Sequence, residues 1–127
     1  IDFLIWIQGE TDAKLYQKLD MSQGPIFFQK YGRNKFYFEA FQIIIKNLGN
    51  YFDENSKAII TKTSICNSKK SNLINAQQIK ISESSKNFFI LDNTDNLDNN
   101  YRYDKCHLNE IGTDTTARSI AEIINLF

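Results

Sequence analysis

The 127-residue sequence has no surplus of either charge, since fifteen Lys and Arg stand against fifteen Asp and Glu. No overall field draws such a chain to a polyanion, so neither nucleic acid nor an anionic membrane surface is an expected partner. A neutral partner such as a sugar suits the balance. The chain also lacks any apolar run near the roughly twenty residues that cross a bilayer, and no membrane segment is expected. Cys66 and Cys106 stand far apart in no metal-ligand spacing, and two thiols alone leave the redox compartment and the localisation open. The single Pro, beside abundant Asn, Lys, Ile and Phe, reads as the bias of an AT-rich coding sequence rather than a functional signature. No internal repeat and no linker divides the chain, so residues 1–127 are read as part or all of one domain. What the sequence does have is core material: 42% hydrophobic residues, with ten Phe and six Tyr. Its composition excludes general disorder.

Ile1 to Ile7 is an almost continuous apolar run, the pattern of a strand buried on both faces inside a parallel sheet. A chain opening on such a strand is expected to begin in the middle of its fold. A missing N-terminal portion, or another chain, would then complete the sheet. Thr11 or Asp12 is suited to cap a short helix over Ala13 to Leu19, whereas Asp20 to Arg33 resists assignment. Three- and four-residue steps through Phe38, Phe41, Ile45, Leu48 and Phe52 predict a helix over 34–52. The β-branched stretch from Lys57 to Cys66 predicts a second buried strand. A helix is expected over Asn72 to Glu83, with Leu73, Ala76, Ile79 and Lys80 on its inner side. Asn87 to Leu91 reads as a third strand, Asn93 to Asn100 as a solvated loop, and Leu108 to Phe127 as a closing helix with Ala117, Ile120, Ala121, Ile124 and Leu126 inward. Strands alternating with helices predict an α/β layer architecture with a parallel sheet. In such folds binding groups gather where strands end, and two polar clusters follow predicted strands here.

The first cluster is Asp104-Lys105-Cys106-His107, which sets a carboxylate three residues before the only histidine. A carboxylate that binds one imidazole nitrogen leaves the other free to take a proton from a nucleophile. The plain alternative is a loop histidine with an incidental acidic neighbour. The second cluster is Trp6-Ile7-Gln8-Gly9-Glu10-Thr11-Asp12. Gln8 has an amide N–H to offer a developing oxyanion, and Gly9 lets backbone approach a substrate. A strand-to-helix turn capped by Thr11 or Asp12 is the structural alternative, and both can hold at once.

Together the Trp6 to Asp12 block and the downstream Asp104 to Gly112 segment resemble the sialate O-acetylesterase and acetylxylan-esterase branch of the SGNH hydrolases. The resemblance implies a flavodoxin-like three-layer α/β/α fold, its first two strands lying outside this chain. It implies hydrolysis of acetyl esters on carbohydrates by a Ser-His-Asp mechanism, with an O-acetylated sugar as substrate and no metal or cofactor. In that scheme His107 is the general base, Asp104 orients it, Gln8 and Gly9 serve the oxyanion hole, and Glu10 and Asp12 hold the loop. This sequence departs from the family in having neither its Gly-Gln-Ser-Asn-like nucleophile block nor the glycine-donor block. Ser22 lies in an irregular stretch, Ser64 has no nucleophile-elbow context, and Cys106 adjoins His107 too closely to face its working edge. The nucleophile is therefore expected outside these residues, and the segment alone is expected to be inactive. A non-catalytic glycan-binding or interaction domain of the same fold, with Trp6 and the tyrosines stacked on sugar rings, is the alternative from another class. An O-acetyltransferase would use the same triad while excluding water.

Overall fold

The computed structural model describes residues 2–7, 22, 24–63, 66, 71–92 and 96–127. Three strands, β1 (Phe3–Trp6), β2 (Lys57–Thr61) and β3 (Phe88–Leu91), form one sheet in the order β1-β2-β3. Both pairings are parallel, with Leu4 opposite Ala58 and Ile60 opposite Ile90. Four α-helices accompany the sheet among the described residues: α1 (Ile26–Tyr31), α2 (Phe36–Leu48), α3 (Asn72–Glu83) and α4 (Glu110–Ile124). Short 3-10 helices stand at Gly49–Tyr51 and Asn99–Tyr101. The expected α/β arrangement of parallel strands with interleaved helices is present. No helix among the described residues is long and apolar enough to cross a membrane.

Alternation along the strands divides the core in two. On one face Leu4, Trp6, Ala58, Ile60 and Phe88 meet Phe28 of α1, Phe36 and Phe41 of α2, and Ile74 and Ile81 of α3. On the other face Phe3, Ile59 and Leu91 meet Ile120, Ile123 and Ile124 of α4. Helices thus cover both faces of β2, and Ala58, Ile59 and Ile60 are fully buried. β1 differs from the expected doubly buried strand. Ile5 is 44% exposed and Ile7 61% exposed, because α4 alone packs on that face among the described residues and does not reach the end of the edge strand.

The bounds of α3 are those the sequence predicts, yet its buried face is a different one. Ile74, Asn75, Gln77, Gln78 and Ile81 point inward, whereas Ala76, Ile79 and Lys80 are exposed. The apolar periodicity misleads because two glutamines occupy the interior for polar reasons. Gln77 Oε1 accepts from the backbone N–H groups of Tyr37 (2.8 Å) and Phe38 (3.2 Å), in the first turn of α2. Those are the donors that every helix start leaves orphaned, and Lys35 at the N-cap offers no side-chain bond. The Gln77 amide in turn donates to the carbonyls of Arg33 and Leu73. We expect Gln77→Leu to lower stability by about 3 kcal/mol, since buried amide donors lose their partner while volume is kept. A shifted urea midpoint at constant slope would report it.

Helix ends also depart from expectation. α2 stops at Leu48 rather than Phe52, because Gly49 takes a positive φ of 51° that turns the chain out of the helix. α4 begins at Glu110, since Leu108 is drawn into an antiparallel bridge with Arg102 and Asn109 becomes the N-cap. Its inner face is Gly112, Thr116 and Ile120; Ala117, Ala121 and Leu126 are exposed. The stretch before Arg33 that resists assignment contains α1, whose Phe28 is buried against Phe36 in an edge-on pair at 5.0 Å.

Candidate active site

All three strands run parallel, so the segments that follow them leave the sheet at one edge. Contacts knit that edge together. Thr61 Oγ1 at the end of β2 donates to the carbonyl of Trp6 at the end of β1 (3.2 Å), and Lys62 meets Asp92 just beyond β3 (3.1 Å). Beneath it, Gln78 Oε1 accepts from the Thr63 backbone N–H, and its amide donates to the Thr61 carbonyl and the Tyr37 hydroxyl. The same hydroxyl accepts from the Trp6 indole at 2.9 Å. Gln78 is fully buried and so holds the ends of β1 and β2 in register from below.

Asp104 and His107 lie in a small hairpin between β3 and α4. Its base is the Arg102–Leu108 bridge, and the Tyr103 N–H donates to the His107 carbonyl (3.2 Å). At its tip Lys105 has a positive φ of 63°, an uncommon conformation for a residue with a side chain. That turn brings both sides of the Asp104 carboxylate into use. Oδ1 accepts from the backbone N–H groups of Cys106 (3.0 Å) and His107 (2.7 Å), and Oδ2 lies 2.5 Å from His107 Nδ1. With Nδ1 so engaged, Nε2 is the nitrogen left for a substrate or nucleophile. The Tyr103 ring stacks on the imidazole, with centroids 5.6 Å apart and planes at 17°. Both members of the pair remain open to solvent, His107 more than Asp104.

The hydrogen bonds from His107, side chain first and then backbone, hold the Asp104 carboxyl down at about 2, below its usual 3.8. A depressed folded value means that the ionised carboxylate favours the folded hairpin above pH 3.8, and that this contribution fades as pH falls through about 2. An NMR titration following the Asp104 carboxyl carbon should show its midpoint near 2. A midpoint at the ordinary value would mean that the pair does not form in solution.

Several further residues support the hairpin. Arg102 is buried, and its guanidinium donates to the Leu97 carbonyl through Nε (3.1 Å) and Nη2 (2.9 Å) and to the Cys106 carbonyl through Nη1. Asn109 Oδ1 accepts from Gly112 N–H, capping α4, while its side-chain amide donates to the Asn100 carbonyl. Gly112 is required by close approach, because a Cβ there would collide with the carbonyl oxygen of Tyr101. Asn109 and Gly112 together seat the first turn of α4 against the 3-10 turn before the hairpin. Asparagine just ahead of a helix was the one readable signal among these.

Cys106 is not a thiol. It forms a disulfide with Cys66, a few positions beyond the end of β2, so it has no thiolate to offer as a nucleophile. Ser22 is exposed on the segment before Gly24. Gln8, Gly9, Glu10, Asp12 and Ser64 lie outside the described residues, and the chain reaches them from Ile7 and Thr63 at the same sheet edge. Trp6 is a core residue rather than a free platform. Its indole N–H is bonded, and its ring packs edge-on to Phe41 at 5.5 Å. No protein-family model, curated protein or solved structure matches the chain.

Proposed function

We propose that this chain supplies the base half of a serine carbohydrate O-acetylesterase site, whose nucleophile comes from outside these 127 residues. The observation that carries the reading is the Asp104–His107 pair, in which the carboxylate holds Nδ1 and so leaves proton transfer to Nε2. Its support from sequence is the Trp-Ile-Gln-Gly-Glu-Thr-Asp block, which resembles the SGNH O-acetylesterases and follows a strand of the same sheet. In the reaction, His107 Nε2 takes the proton of the serine hydroxyl as its oxygen attacks the acetyl carbonyl. Gln8 and Gly9 offer N–H groups to the oxyanion. The imidazolium then returns the proton to the departing sugar oxygen, leaving an acetyl-serine. Water, deprotonated by the same nitrogen, releases acetate. Asp104 stays ionised throughout and keeps the imidazole in one tautomer and orientation.

The free outer edge of β1 agrees with this proposal. Among the described residues no strand pairs there, so backbone groups are available to a further strand. A purely glycan-binding role through Trp6 is disfavoured by the bonds that fix its ring in the core. Acetate release from an O-acetylated sugar by the serine-bearing polypeptide, with acetyl-serine trapped and found by mass spectrometry, is the expected result. Absence of both from a folded preparation would refute the reading.

A further inference from the structure

The bonds that shape the Asp104–His107 hairpin are mostly internal to it. Asp104 binds the amides of Cys106 and His107 and the imidazole, Tyr103 binds and stacks on His107, and Arg102 grips the Cys106 carbonyl. They define the hairpin's shape. Where it stands is set by other contacts: its base is tied to the 3-10 turn and α4 through Asn109 and Leu97, on the α4 side. From the tip toward the centre of the sheet runs one covalent link, the Cys66–Cys106 disulfide, attached one residue from the imidazole. Cys66 belongs to the segment leaving β2, which is the buried central strand and is pinned to β1 by Thr61 and Gln78.

We infer that the Cys66–Cys106 disulfide is a positioning device for His107: it fixes the preformed Asp104–His107 pair over the carboxyl end of β2, beside the place where β1 ends. This rests on the proposed esterase reading for its catalytic consequence, but the placement itself does not. The two jobs are separable. Asp104 makes the pair, and the disulfide aims it. Breaking the bond leaves the Asp104 hydrogen bonds within the hairpin and releases the tip from β2. A displacement of about 1 Å costs on the order of a hundred-fold in rate when reacting groups must be aligned.

The test replaces both cysteines, Cys66→Ser with Cys106→Ser, in the full polypeptide. Nitrogen-15 relaxation should show backbone order parameters of residues 103–107 falling below ~0.6 while the strands stay rigid. The Nδ1–H signal of the His107–Asp104 pair should persist. In the same variant kcat for acetyl release should fall at least ten-fold, with KM changed less than three-fold, by the same alignment argument. Unchanged order parameters in the hairpin would overturn the inference whether or not the protein proves to be an esterase. If acetyl release is absent in every form while the hairpin loosens as expected, the esterase reading fails and the placement stands. Should the double variant not fold, wild-type protein reduced with a phosphine at low temperature gives the same comparison. Global unfolding of both forms would also overturn it, because the bond would then act on the whole fold and not on the hairpin.

Discussion

In the serine-bearing polypeptide, His107→Ala should lower kcat/KM for an O-acetylated sugar by about ten-thousand-fold, leaving only what binding and the oxyanion donors supply. The loss belongs to kcat, because the imidazole is needed where the serine proton moves and not where the sugar is held. It should come with little change in stability. The His107 side chain is 67% exposed, and the partner of its side-chain hydrogen bond, Asp104, is itself open to solvent. Deleting it removes no core contact, so a thermal melt close to that of the wild type separates lost chemistry from lost folding. Added imidazole should restore part of the rate, since the vacated site lies at the surface. A folded variant that turns over substrate at the wild-type rate would remove His107 from the mechanism and, with it, the role given to Asp104.

Removing the disulfide should cost the most stability of any change considered. Cys66 and Cys106 are separated by 40 residues, so the bond closes a long loop in the unfolded chain. In the chain-entropy account a loop of that size is worth about 4 kcal/mol. For a chain of this length that corresponds to a fall in Tm on the order of 15 °C. Calorimetry of oxidised and reduced protein would measure it directly. A shift of only a few degrees would mean that the reduced chain already keeps the two segments together. The cross-link is one that an oxidising compartment forms and maintains, which bears on the surroundings in which the Asp104 hairpin is held in place.

Legibility in the sequence followed the kind of force at work. β2 and β3 are readable from the apolar stretches Ala58-Ile59-Ile60 and Phe88 to Leu91, although β2 ends at Thr61 rather than Cys66 and only Leu91 of β3 is buried. The bounds of α3 are those the sequence predicts, and Ser71 fixes its start by accepting from Ile74 N–H. Its inner face is not the predicted one, since Gln77 and Gln78 go inward to serve backbone groups of α2 and β2 that are distant in the chain. Periodicity counts apolar residues and is blind to a polar side chain whose partners are brought by the fold. The Asp104–His107 contact was readable because it is local: three residues and one turn suffice. Its supports were hidden for the opposite reason. Arg102 reaches back to Leu97, Cys106 reaches across to Cys66, and Gly112 matters only because Tyr101 lies against it. Two cysteines in a sequence carry no sign of whether the fold will bring them together. α4 was overextended toward Leu108 for a similar reason, as a bridge to Arg102 claims that residue before the helix can.

Trp6 is the chain's sole tryptophan, and it stands where β1 gives way to the segment carrying Gln8. Its indole donates to a Tyr37 hydroxyl that also accepts from Gln78, and its ring lies edge-on to Phe41. Within this chain, emission excited at the red edge of the indole band therefore comes from one tryptophan, linked by hydrogen bonds to the ends of two strands. An oxyanion mimic or a sugar arriving at that sheet edge should register as a change in emission, giving a label-free optical readout of the site.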